Sequence, residues 1–169
     1  MGVTLAGAEQ FTEVEWVKFL GAVPLEVGTG GVIMGLDPRP VHLNHNETVN
    51  AAVLFGLVEV AGAGALVAGM LEEAASSYIV VKRASIEYDA PARGELKATG
   101  SLAPEIFGDA LAAVRGGEPV EVPIPVEVRD SKGQLVCHAE VTVIVRPRRP
   151  SRLGEPEISE PELETGGGS

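Results

Sequence analysis

The stretch NAAVLFGLVEVAGAGALVAGML, residues 50–71, carries one charged side chain, Glu59, in an otherwise apolar run. Residues 51–71 make 21 positions, enough for a helix that spans a bilayer. Three features oppose that reading. Alanine and glycine crowd the run and keep its hydrophobicity moderate, Glu59 falls near its centre, and its flanks offer no Lys/Arg anchor or aromatic belt. The run reads instead as a helix that is apolar all round because protein surrounds it, with Ala and Gly letting a sheet come close. A carboxylate there is costly to ionise unless paired. Its neighbours at i±3 and i±4 are Phe55, Gly56, Gly62 and Ala63, none of them basic. Glu59 must therefore be paired from elsewhere, set at a subunit seam, bonded to backbone, exposed to a cleft, or held for chemistry.

The flanks of the run supply its partners. Upstream, EQFTEVEWVKFL (9–20) spaces Phe11, Val14, Trp16, Val17 and Leu20 as a short amphipathic helix. VPLEVGTGGVIMGL (23–36) reads as two strands around a glycine-relieved turn. DPRPVHLNHNET (37–48) is a proline-punctuated loop whose Asn and Thr suit a helix N-terminus. Downstream, SSYIVVKRASIEYDAP (76–91) is β-branched and reads as a strand, and GELKATGSLAP (94–104) alternates Leu96, Ala98 and Gly100. EIFGDALAAVRGGE (105–118) reads as a helix stopped by Gly116–Gly117. Val120, Val122, Ile124, Val126 and Val128 share one face of the next strand, and DSKGQ turns it into LVCHAEVTVIVR (135–146). Pro123 and Pro125, on the opposite face, suggest an edge or a distorted start. The order is helix, strand pair, long buried helix, then four antiparallel strands with one helical insertion: an α+β domain over residues 1–146. From Pro147 the chain is rich in Pro, Glu and Gly and too poor in apolar residues to bury, so 147–169 reads as a disordered tail.

The 169 residues suit one domain, and aromatic residues are only 4%, which leaves Val, Ala, Leu and Gly to fill the core. The net charge of −11 opposes a nucleic-acid surface and docking on anionic lipid. One cysteine, Cys137, excludes an intrachain disulfide framework and a Cys-rich zinc site, and its strand pattern marks it as core. The start MGVTLA shows no signal-peptide pattern, and Ala6 breaks the myristoylation motif, so the expected location is cytoplasmic. GAGALVAG lacks the third glycine of a dinucleotide fingerprint, His42 and His45 without Cys are thin support for metal, and no G-x-S-x-G is present.

HLNHNETVNAAVLFGLVEVAG followed by IVVKRASIEYDAPARGELKATG resembles the hotdog-fold thioesterase superfamily, above all the phenylacetate-degradation-type acyl-CoA thioesterases, over residues 20–146. Asn44 and Thr48 stand at the family's Asn and Thr, and Glu59 stands at its acidic position two turns into the helix. Asn50-Ala51-Ala52 replaces its His-Gly-Gly, and Pro91-Ala92 matches its strand–Pro–Ala turn. The resemblance implies a hotdog fold, an antiparallel sheet wrapped around the long helix, in a homodimer or homotetramer whose sheets run on between subunits. It implies an active site across that seam, with one subunit giving the acid and the other the loop at the helix start. Glu59 would be general base or nucleophile, Asn44 would orient it or its water, and the backbone N–H groups near Asn50 and Ala51 would hold the oxyanion. Thr48 and Phe55 would shape the substrate site, Ser77 would stand near the Ser/Thr that the family often places after the helix, and Lys82 and Arg83 would meet CoA phosphates. No separate cofactor or metal is implied, because CoA is part of the substrate.

Thioester hydrolysis is the expected activity. A non-catalytic acyl or acyl-CoA binding protein is the alternative, favoured by the missing His-Gly-Gly. Enoyl-thioester hydration ranks lower for want of an Asp–His pair at its spacing, and a structural partner acting through its tail is the third rival.

Overall fold

The computed structural model of the chain describes residues 13–148. Six strands form one antiparallel sheet in the order β1-β2-β4-β5-β6-β3, where β1 is Ala22–Gly28, β2 Gly31–Leu36, β3 Ser77–Tyr88, β4 Leu96–Ser101, β5 Val120–Asp130 and β6 Leu135–Pro147. The sheet wraps around one long helix, here α2 (Ala51–Val67), which packs against every strand. Helix α1 (Glu15–Leu20) precedes the sheet, α3 (Leu71–Ser76) follows α2, and α4 (Pro104–Arg115) joins β4 to β5. The hotdog architecture expected from the sequence is thus present.

Alanine and glycine explain how closely α2 and the sheet approach. A Cβ on Gly62 would lie 2.8 Å from the Cβ of Val141 on β6, and one on Gly100 of β4 would strike the carbonyl oxygen of Ala61. Larger side chains fill the space on either side: Met34, Leu57, Val58, Leu66, Ile124 and Val141 are fully buried. Each large aliphatic among them contributes roughly 1.5–3 kcal/mol by leaving water.

Three sequence expectations are refined. The first helix starts at Glu15, and residues 9–12 of the expected 9–20 span lie outside the described residues. The long helix stops at Val67 rather than Leu71, because Met70 leaves helical geometry (φ −135°, ψ 44°) and a separate short helix begins. Strand β5 is internal in the sheet order, yet β4 pairs with it only from Val126 to Asp130. Pro123 and Pro125 pair with Thr142 and Glu140 on β6 and face no strand on the other side. A proline nitrogen has no hydrogen to donate, and the open half of β5 needs none. The expected tail falls almost wholly on residues 149–169, outside the described residues, and β6 ends at Pro147.

No helix of the described residues is long and apolar enough to cross a membrane. Strand β3 has β6 on one side and no strand on the other among the described residues, so one edge of this 12-residue strand is open.

Candidate active site

The N-terminus of α2 opens into a cleft of ≈ 340 Å³ lined by Asn44, Thr48, Ala51, Leu54, Tyr88 and Asp89, among others. Asn50 is the N-cap: its backbone is extended (φ −63°, ψ 141°) and its side-chain oxygen accepts from the Ala52 N–H at 3.0 Å. The Val53 and Leu54 N–H groups donate to the Asn50 carbonyl, and Asn50's own N–H donates to the His42 carbonyl at 2.8 Å. Of the first amides, only the Ala51 N–H donates to nothing among the described residues. It sits at the positive end of a 17-residue helix and on the cleft wall, suited to a carbonyl oxygen gaining negative charge.

Asn44 does different work. Its amide nitrogen donates to Thr48 Oγ1 (2.9 Å), and its oxygen accepts from the Asn46 N–H (2.8 Å). The Asn44 N–H donates to the Thr48 carbonyl (2.8 Å), so Asn44 and Thr48 close a tight loop. Glu47 within it has φ 56°, and the Arg93 guanidinium holds the loop by donating to the Glu47 carbonyl at 2.8 Å. The Pro91-Ala92 turn docks against the same loop, since the Val49 N–H donates to the Ala92 carbonyl (3.0 Å). The buried His42 ring is pushed below its ordinary pKa by burial and then by Arg39, so it stays neutral beneath the helix start.

Glu59 lies elsewhere. It is half-buried, and among the described residues it makes no hydrogen bond or ion pair. With Ala52, Phe55 and Ala63 it forms the stripe of α2 that the sheet leaves uncovered, and Phe55 is 40% exposed there. Eight residues separate Glu59 from Ala51, roughly 12 Å along a helix. One chain therefore brings Asn44, Thr48 and Ala51 together but does not bring Glu59 to them.

The remaining nominated residues stand apart from this cleft. Ser77 is buried at the opposite end of β3 from Tyr88, and its carbonyl accepts from Arg148 Nε at 3.0 Å. Lys82 reaches across β6 to an ion pair with Glu121 of β5. Arg83 is exposed on β3 beside the register shift between Val81 and Arg83.

Two residues of the cleft escape sequence reasoning. Tyr88 and Asp89 line the cleft, and the Tyr88 hydroxyl donates to the Ala51 carbonyl at 3.2 Å. The Asp89 carboxylate bonds His138 Nδ1 at 2.9 Å, which raises the histidine above its ordinary pKa. Tyr88-Asp89 stands one residue before Pro91-Ala92, and that closeness in sequence is the only signal. Among the described residues no group of three or more His, Cys, Asp or Glu side chains is gathered as a metal would need. Cys137 is buried, and burial pushes its thiol up to about 12.

The profile of a family known as a domain of unknown function (DUF4442) matches residues 20–145. The chain belongs to the DUF4442 family. Its fold recurs in solved structures. It is similar to PA5026 of Pseudomonas aeruginosa, described as a protein of unknown function and probable thioesterase. That match has 21% identity and TM-score 0.72, covering 88% of this chain and 99% of that one. It is similar to thioesterase HI1161 of Haemophilus influenzae, at 15% identity and TM-score 0.67 over 87% and 93% of the two chains. It is also similar to the E. coli PaaI protein of the phenylacetic acid degradation operon, at 14% identity and TM-score 0.64 over 85% and 91%. No functionally curated protein matches it. This DUF4442 chain has the hotdog fold of the thioesterase superfamily, and neighbours of that fold bear thioesterase names.

Proposed function

We propose that the chain hydrolyses an acyl-CoA or related thioester, as a cytoplasmic homo-oligomer whose active site forms between two copies. One observation carries this reading: among the described residues, an N–H without a partner at the start of α2 faces a cleft, while the one acid of α2 stands unpaired two turns away on a stripe the sheet leaves uncovered. A second copy of the chain brings its Glu59 to the first copy's Ala51. The thioester carbonyl then rests on the Ala51 N–H. Glu59 takes a proton from water, the hydroxide adds to the carbonyl carbon, and the oxyanion is held at the helix N-terminus. Collapse of that intermediate breaks the C–S bond, and the proton on Glu59 passes to the leaving thiolate. No further cofactor enters, since CoA belongs to the substrate.

Thiol release from short, medium, long and aryl acyl-CoAs tests the reading. The wild type is expected to release thiol from at least one, and Glu59→Gln to lose that activity while remaining folded. Equal, negligible release from both would sink the hydrolase.

A second reading has its own observation. Asn50 stands where the resemblance has a histidine and uses its side-chain oxygen as a cap, which fits a protein that binds acyl-CoA without cleaving it. Binding of acyl-CoA in a direct titration, with no thiol released, would favour the binder.

A further inference from the structure

Tyr88 closes β3 on the face where Ala84 and Ile86, partly buried, pack against the core, yet it is 47% exposed and lines the cleft. Its hydroxyl hydrogen bond is spent on an acceptor that does not need it. The Ala51 carbonyl already receives the Phe55 N–H in the regular pattern of α2, and the bond from Tyr88 is long, at 3.2 Å. The phenol therefore abuts, on its carbonyl side, the residue whose own N–H has no partner among the described residues, and it can release its hydrogen to an incoming ligand at little cost.

Other polar side chains of the helix start are more engaged. Asn50 caps Ala52 through its oxygen and lies outside the cleft lining, while the Asn44 and Thr48 side chains bond each other. Tyr88 is also held firmly from behind. The N–H groups of Asp89 and Ala90 both donate to the Val136 carbonyl, and His138 grips the Asp89 carboxylate. This end of β3 is thus fixed to β6 just where the ring projects into the cleft.

Resting on the thioester reading of this cleft, we propose that Tyr88 is a catalytic residue: its hydroxyl is a second hydrogen-bond donor to the thioester carbonyl held at the Ala51 N–H. It adds a side-chain donor to a helix start where Asn50 replaces histidine and its oxygen is taken up by capping. Because the N–H and the carbonyl of Ala51 point opposite ways along α2, the half-exposed Tyr88 side chain turns from the carbonyl toward the N–H side as it takes up the ligand's carbonyl oxygen. No bond to Tyr88 forms or breaks, and the phenol stays protonated throughout. Burial, with a smaller effect from Cys137, raises the phenol above its ordinary pKa, in keeping with a donor that does not ionise.

Tyr88→Phe in the full chain removes the hydroxyl and keeps the ring. In thiol-release assays on an acyl-CoA that the wild type cleaves, kcat should fall about 10- to 100-fold with KM changed less than about threefold, as for loss of one oxyanion donor. The melting temperature should be unchanged. A kcat within twofold of wild type would overturn the proposal.

A second measurement needs no turnover. A ¹³C-carbonyl ketone analogue of acyl-CoA, in which CH₂ separates sulfur from the carbonyl, is bound to both proteins and its carbonyl resonance compared with that of the free ligand. The proposal expects a downfield shift in the wild type that shrinks clearly in Tyr88→Phe, and equal shifts would overturn it. An uncleaved acyl-CoA together with a Tyr88-dependent shift would remove hydrolysis while keeping Tyr88 as the carbonyl donor. Failure of the wild type to bind the ketone would overturn both.

Discussion

Asn50 occupies a position where a side chain has two possible employments, and the hydrogen bonds separate them. Its oxygen holds the Ala52 N–H, so Asn50→Ala should cost about 1 kcal/mol of stability, read as a lower urea midpoint. Asn50→Asp should regain it, because Asp caps equally well and its charge suits a helix N-terminus. Glu59 is the contrasting case. With no partner among the described residues, it contributes little to holding the chain, and Glu59→Gln should move the melting temperature by less than about 2 °C. A larger loss would mean that Glu59 is a structural partner rather than a residue kept for chemistry. His138 ties stability to pH. Bonded to Asp89, it has a folded pKa above the ordinary 6.5, so its charged form stabilises the fold fully below about pH 6.5. That contribution disappears as pH rises through the raised folded value. His138→Gln should therefore flatten the decline in melting temperature as pH rises above about 6.5, and an identical decline in both proteins would assign it to other groups. These residues also mark what a sequence can tell. A lone acid within a 21-residue, otherwise apolar run is conspicuous in one dimension. The Asp89–His138 pair spans 49 residues and exists only because β3 and β6 lie side by side.

The packing of α2 on the sheet turns on backbone proximity. At Gly100 even a methyl group would collide with the Ala61 carbonyl, which is backbone and cannot swing aside. Gly100→Ala must push α2 off β4, and overpacking of this kind costs about 1–3 kcal/mol or more, measurable by urea unfolding. Gly133, at the β5–β6 turn, has open space around its missing Cβ but a φ of 79°, so substitution there strains the backbone alone. Element types were readable because periodicity reports them: the Val120–Val128 alternation became β5 and the apolar run became α2. What failed depended on neighbours. The early end of α2 at Val67 is a local departure at Met70 that no periodicity marks. Pro123 and Pro125 signal a missing partner correctly, yet a strand that is an edge for half its length and internal for the rest has no signature of its own.

Two incomplete features of the fold complement each other. Among the described residues, strand β3 offers an open edge of 12 residues, a ready template for another strand, and the sheet leaves Phe55 and Glu59 of α2 on an uncovered stripe. Both are accounted for if two copies pair around a two-fold axis, and that arrangement makes a prediction that a single-chain site cannot meet. Ala51→Pro deletes only the free N–H. Proline is favoured at the first position of a helix, and Asn50 already has the extended backbone that must precede it (φ −63°, ψ 141°). Ala51→Pro should therefore stay folded while its kcat falls about 100-fold, matching loss of an oxyanion donor. Glu59→Gln should be equally inactive for a different reason. Coexpressed in equal amounts, the two defective chains form mixed dimers in which one site carries both defects and the other carries neither. About half of all dimers are mixed and half of their sites are intact, so about a quarter of wild-type activity should return. A site built within one chain would give no recovery, because every chain in the mixture is defective, and Glu59 would then have to reach Ala51 across roughly 12 Å of its own helix.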